Sequence, residues 1–361
     1  MRCSFTHILI YSYSHLPIHS FTRMAIESYL PLEISVVIPV YNEQENLGKC
    51  LEAIYQSKYP PCEVIVVDDG STDDSLAVAS RFPCRVIKLD AKHGAARAKN
   101  CGAEMARGNI IFFTDADIML NGDTLSLVAE DFADPQISGV VGLLSKDTRY
   151  SNFCSEYKNL WMHYTYARLP VYNGAFYTSA AAIRRTVFKE NGGFDENYRG
   201  ASVTEDAEFG QRLLTAGHKI YLDKRLTVRQ LKRYCLIELI KTDFWRSYGL
   251  TMTRLRNKLG RIKQKSFTTV PSFFILSVLV SFLTMLLLLL SIIFREHRFL
   301  IAALIGGTTV LLLNFPFLHF LRKARGWSFL GKSCGFLLVD TFIVVLGMLF
   351  AVASFITGKK F

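Results

Sequence analysis

Little in this chain suits a disulfide scaffold, a zinc protein or a nucleic-acid reader. The eight cysteines (Cys3, Cys50, Cys62, Cys84, Cys101, Cys154, Cys235 and Cys334) form no CxxC and no His/Cys pairing at zinc spacing. They read as reduced thiols of a cytosolic domain. No nucleic-acid motif accompanies the net charge of +11, so the basic excess needs another explanation. Internal repeats and low-complexity tracts are absent. No A-x-A cleavage site follows the weak apolar patch of residues 1–30, which argues against a secretory signal. Residues 1–31 read as a poorly ordered leader, with Met24 as an alternative start.

Formal charge is scarcest in the last quarter. Residues 268–294, 299–321 and 336–357 are three apolar runs, each of at least ~20 residues, enough to cross ~30 Å of hydrocarbon as a helix. They lift the mean hydropathy to +0.22 and show no amphipathic face for a soluble layer to cover. Basic residues gather just before the first run (254–265) and between the second and third (322–332). The short link between the first two carries Arg295, Arg298 and Glu296. The positive-inside rule then puts the large N-terminal part and the second connection in the cytoplasm and Phe361 outside, with Lys359 and Lys360 pulling mildly the other way. The expectation is an integral protein of the inner or plasma membrane. Basic, aromatic-containing stretches beside a membrane meet anionic lipid. Residues 229–266, which mix Trp245 and Tyr248 with many Lys and Arg, read as amphipathic helices in the headgroup layer.

What is present in the first two-thirds is a series of acidic stations: Glu43, Asp68-Asp69, Asp115-Ala116-Asp117 and Glu205-Asp206. The middle two follow the apolar runs 63–67 and 109–113, which read as buried strands. Carboxylates at the carboxyl ends of parallel strands line the crevice where an open α/β sheet binds ligands. That much negative charge in one cleft suits a divalent cation held with a phosphorylated substrate. Strands at 34–40, 63–67, 84–89 and 109–113 alternate with helices at 41–56, 71–82 and 94–108, the pattern of a doubly wound parallel sheet. Asn42 or Glu43 caps the first helix, Ser71 or Thr72 the second, and Gly108 ends the third. Further on, 139–145 and 174–185 read as strands. Residues 191–196 form a turn, and 204–217 a helix capped by Thr204.

The segments VVIPVYNEQENL, VVDDGSTDDS, GAARAKNCG…ARGNIIFFTDAD and GGFDE…TEDAEFGQRLLTAG, in this order over residues 33–220, resemble glycosyltransferase family 2, inverting enzymes of the GT-A fold. The resemblance implies a GT-A nucleotide-sugar domain with a mixed sheet at 32–228, then the headgroup-layer helices and a C-terminal transmembrane bundle (267–361). It implies a nucleoside diphosphate sugar donor, UDP before GDP, and Mg²⁺ or Mn²⁺. Asp117 corresponds to the metal ligand, with Asp115 on the ribose or sharing the ion. Pro39, Tyr41 and Glu43 correspond to the nucleotide-facing segment, and Asp69 to the carboxylate that accepts from the base. Arg97 faces the base or phosphates; Lys92 is a weaker candidate and Asp68 supports the turn. Asp206 corresponds to the catalytic base, which takes the acceptor hydroxyl's proton opposite the departing diphosphate. Glu205 and Asp195 are placed on the acceptor side. His163, His218 and His319 read as packing residues.

Processive synthases of this superfamily carry a Gln-x-x-Arg-Trp element, whereas here Trp245 precedes Arg246 with no suitably spaced Gln. Transfer of one sugar is therefore expected, and the membrane topology alone points to a lipid-linked acceptor. The alternatives are a processive polysaccharide synthase, a polyprenyl-phosphate sugar synthase and a non-catalytic scaffold. Asn314 and Asp340 stand inside apolar runs, where a polar group needs a partner.

Overall fold

A computed structural model describes residues 32–198, 205–259 and 270–358. The leader 1–31, the Thr204 cap, residues 260–266 and the first two residues of the run 268–294 lie outside them. The parallel half of the sheet is built from β1 (Ile34–Val40), β2 (Glu63–Asp68), β3 (Arg85–Lys88) and β4 (Ile110–Phe113). Helices α1 (Leu47–Tyr55), α2 (Ser75–Ala79) and α3 (Ala95–Met105) connect them. β1 is buried along nearly its whole length, as a strand covered on both faces must be.

The second half is mixed. It comprises β5 (Ile118–Leu120), α4 (Thr124–Asp131), β6 (Ile137–Leu144), α5 (Phe153–Ala167), β7 (Ala181–Arg184), α6 (Arg185–Glu190), α7 (Glu205–Thr215) and β8 (Lys219–Gln230). The strand order is β3-β2-β1-β4-β7-β6-β8-β5. β7 lies antiparallel to β4 and β6, and β8 runs parallel to β6 and antiparallel to β5. Phe113, Phe176, Phe188, Phe194 and Phe209 interlock between the layers. This aromatic core ties the GGFDE turn and the TEDAEFG helix to the end of β4.

Several local expectations shift. Asn42 adopts a left-handed backbone (φ 53°), which asparagine tolerates, so α1 begins only at Leu47 behind Asn46. Asn42 and Ser71 serve instead to stitch the two strand-end loops: Asn42 Oδ1 accepts from Thr72 N at 2.8 Å, and Ser71 Oγ from Asn42 N at 3.0 Å. Gly108 is not a helix cap, because α3 ends at Met105. A Cβ at Gly108 would stand 2.5 Å from the Glu33 carbonyl oxygen, so glycine permits the close pass of the chain beside β1. Of 174–185 only Ala181–Arg184 is strand; Thr178–Ala180 is a 3₁₀ turn. β8 lacks an apolar run and carries five Lys, Arg or Asp residues within Lys219–Gln230, which hid it from the pattern reading. The domain end expected at 228 falls inside it.

Beyond β8 come α8 (Leu236–Leu259), α9 (Ser272–Phe294), α10 (His297–Leu313) and α11 (Phe315–Ile356), the last broken at Gly326 (φ 84°). Among the described residues two helices, α9 and α11, are long and apolar enough to cross a membrane. The run 299–321 is divided at Asn314 between α10 and α11. Tyr157, Leu160 and Tyr164 of α5, Leu239 of α8 and Phe317, Leu321 and Phe336 of α11 share one apolar cluster, which joins these helices to the sheet domain.

Candidate functional site

The carboxyl ends of β1, β2 and β4 point their loops to one edge of the sheet, and the acidic stations gather there. After β1, Pro39 sits in register with Val67. The exposed Tyr41 ring lies under Lys92, whose Nζ is 3.4 Å from its centroid. Glu43 is held by Asn46 Nδ2 at 3.1 Å. Burial raises its pKa, with Asp115 and Asp73 adding to the effect, while Asn46 and Lys232 act against it.

After β2, Asp68 Oδ1 accepts from Ser71 N at 3.2 Å, the turn role expected of it. Asp69 accepts one backbone N–H on each oxygen, from His93 at 2.7 Å and Gly94 at 2.8 Å. It thereby fixes the loop that opens α3, where Gly94 has φ 104°. Each carboxylate oxygen retains a further lone pair for a ligand N–H.

After β4, Asp115 Oδ2 accepts from Ser179 Oγ at 2.5 Å. Asp117 is buried, and its carbonyl accepts from Leu231 N at 2.7 Å. Burial pushes the Asp117 carboxyl up to about 7; the charges of Asp115 and Glu43 add to this, and Lys232 opposes it. Two crowded carboxylates with oxygen-only donors suit a hard divalent cation that draws its remaining ligands from substrate phosphates and water. Among the described residues no cluster of three or more His, Cys, Asp or Glu is arranged as a metal cage.

Lys99, on α3, joins this edge to the second acidic pair. Its buried ammonium donates to Thr178 Oγ1 at 2.6 Å and to Glu205 Oε1 at 2.7 Å. Burial would lower its pKa, but the Glu205, Asp115 and Asp206 carboxylates outweigh that and raise it. Thr178 and Ser179 are neighbours, so one 3₁₀ turn touches both Lys99 and Asp115. Asp206, in the first turn of α7, is pushed up to about 7 by burial and by Glu205, against the pull of Lys99 and Arg246. Arg246 comes from α8. It donates to Met162 Sδ at 3.0 Å and faces Tyr166, Tyr177 and Asp206.

Of the stations expected from sequence, Glu43, Asp115 and Asp117 act on one another in a cleft at the strand ends. Lys99 links it to Glu205 and Asp206; three expected residues differ in detail. Arg97 reaches Glu196 at 3.2 Å on the surface; Lys99, two positions on, is the α3 cation that turns inward. Glu205 is buried against Lys99 instead of lining an open acceptor side. Asp195 accepts from Asn197 at 2.9 Å and lines a separate cavity of about 580 Å³ with Asn100, Glu104 and Lys189. Lys99, Ser179, Lys232 and Arg246 were not legible as site residues. Each lies outside the acidic motifs and reaches the cleft only through tertiary folding.

Residues 35–192 match the profile of glycosyl transferase family 2. Glycosyltransferase GlyG of Streptococcus pneumoniae is 32% identical over 137 residues, 37% of this chain and 44% of that protein. The O-antigen chain rhamnosyltransferase RfbN of Salmonella typhimurium is 29% identical over 213 residues, 56% of this chain and 67% of that protein. The chain thus spans less than half of GlyG and about two-thirds of RfbN. In fold it is similar to the mannosyltransferase PcManGT of Pyrobaculum calidifontis, solved with GDP-Man and Mn²⁺. That likeness has a TM-score of 0.56 at 16% identity, covering 90% of this chain and 88% of the other. The mixed sheet has the GT-A fold, and residues 35–192 carry the glycosyl transferase family 2 match.

Proposed function

We propose that the protein moves one sugar, with inversion, from a nucleoside diphosphate sugar to a lipid-linked acceptor at the cytoplasmic face of a membrane. The observation that carries this reading is the Lys99 bridge, which brings Glu205-Asp206 to the same cleft as Asp115-Ala116-Asp117. Tyr41, Glu43 and Asp69 flank the nucleotide end. Asp117, with Asp115, would hold Mg²⁺ or Mn²⁺, which when bound supplies Lewis-acid stabilisation of the departing diphosphate. The acceptor hydroxyl oxygen bonds to the anomeric carbon while the carbon–oxygen bond to the diphosphate breaks, and that electron pair leaves with the nucleoside diphosphate. Asp206 takes the hydroxyl proton; a base with pKa near neutrality is suited to this step. Lys99 holds Glu205 so that Asp206 faces the cleft, and Arg246 adds positive charge beside it.

The lipid acceptor rests on the two helices able to span a membrane, packed directly on the domain through α5. Full-length protein is incubated with a membrane-lipid extract and radiolabelled UDP- and GDP-sugars, with and without Mn²⁺. Metal-dependent label in the organic phase is expected. Label confined to water-soluble products would refute the acceptor assignment, and no transfer from any donor would refute the activity.

A further inference from the structure

Of Asn314 and Asp340, which stand inside the apolar runs, Asn314 takes a helix-end position, with its Oδ1 buried and unbonded among the described residues. It ends α10, donating from Nδ2 to the Val310 carbonyl at 2.9 Å. Asp340 is different. It is buried near the middle of α11 with its carboxyl beside that of Asp243 on α8, which is ion-paired with Lys158 of α5. Three helices thus contribute one cation and two carboxyls to a seam otherwise lined by Tyr157, Leu239, Phe317 and Phe336. A carboxyl at such a depth is retained only at a cost, and it marks a specific partner.

The same seam holds α8 closely on α11. A Cβ at Gly347 would fall 2.1 Å from Ser247 Oγ and 2.5 Å from the Phe244 carbonyl oxygen. The Phe350 ring packs against Phe244, Trp245 and Tyr248. Arg246 follows Asp243 by three residues, on the neighbouring turn, and faces Asp206 and Tyr177. From the other side α5 meets the site through Met162, which accepts from Arg246, and Tyr166, whose ring lies 4.9 Å from Tyr177.

We propose that Asp340 is a positioning residue for sugar transfer: by holding Asp243 it fixes α8 between α5 and α11, and so keeps Arg246 beside Asp206. This inference rests on the cleft being the transfer site. Asp243 accepts from Lys158, so Asp340 meets it as a donor, a part that an asparagine amide can also play. Asp340→Leu leaves the Lys158–Asp243 pair in place and removes only the tie to α11.

Full-length wild type, Asp340→Leu and Asp340→Asn are compared in nanodiscs by hydrogen exchange and by turnover of UDP-glucose, UDP-N-acetylglucosamine and GDP-mannose with Mn²⁺. In Asp340→Leu the α8 amides from Asp243 to Leu250 should exchange faster. Its kcat should fall roughly 10- to 100-fold at unchanged donor KM, the scale of a small displacement transmitted to a reacting centre. Asp340→Asn should keep both properties. Unchanged α8 protection in Asp340→Leu, or an Asn variant as impaired as the Leu variant, would overturn the inference. A wild type that turns over no donor sinks the proposed function instead, and the exchange data still report separately on the tie.

Discussion

Two lysines in this protein are buried to nearly the same degree, and each is ion-paired with a carboxylate far away in sequence. Lys99 meets Glu205 and Lys158 meets Asp243, with lysine side chains 4% and 5% exposed. Their surroundings differ. Around Lys99 stand the Thr178 hydroxyl and the further carboxylates Asp115 and Asp206 at the open ends of the strands. Around Lys158 stand aromatic rings where helices meet, with Asp340 as a further carboxyl beside its partner. A buried ion pair by itself therefore does not mark a site. What separates the two regions is where the surplus carboxyls stand: at the open ends of the strands around Lys99, where a ligand can meet them, and between packed helices around Lys158.

The largest expected effect separates the two regions at the chemistry. Asp206→Asn should reduce kcat by about 10²–10⁴-fold, the usual worth of a general base, while donor binding by calorimetry persists. Equal activity would remove Asp206 from the mechanism. Next come the lysines. Lys99→Met strands Glu205 without a partner and should cost about 3–5 kcal/mol in denaturant unfolding. Adding Glu205→Gln should recover most of that stability but not the activity. Recovery of both would make the Lys99 pair purely structural.

The pH profile sharpens the same contrast. Asp206 is pushed up to about 7 by burial and by Glu205, and it works only as the carboxylate. Loss of the proton as pH rises through neutrality should therefore raise kcat/KM, and acidification should lower it. A profile flat across neutrality would contradict this assignment. Gly108→Ala tests the sheet alone: the added methyl meets the Glu33 carbonyl oxygen, so a loss of about 1–3 kcal/mol is expected, read as a lower melting temperature with kcat unchanged. The smallest effect is expected for Arg97→Ala. Its exposed pair with Glu196 is worth at most about 1 kcal/mol, so a raised donor KM in that variant would place Arg97 at the nucleotide after all.

The parallel half of the sheet was readable because β1, β2 and β4 are apolar runs ended by acidic loops. The second half was not. β8 is rich in charge yet pairs with both β6 and β5, since its register is set by neighbours and not by its own periodicity. Residues 174–185 read as one strand, but Thr178 and Ser179 turn their hydroxyls to Lys99 and Asp115, and only Ala181–Arg184 pair with β4. The site divides in the same way. Acidic residues after strands could be named from spacing. The cations could not, because a lysine on a helix looks the same in sequence whether it faces water or a buried glutamate.

Residue order alone carried the family resemblance, the strand-end carboxylates and the apolar runs, since each depends on neighbours a few positions away. Tertiary structure decided that Lys99 and not Arg97 turns inward, that Glu205 is consumed by an ion pair, and that α8 brings Arg246 to the cleft. Those outcomes depend on which surfaces separated by about a hundred residues come to exclude water together. Local spacing carries no record of that contact, and desolvation is what turns an ordinary charge into a committed one.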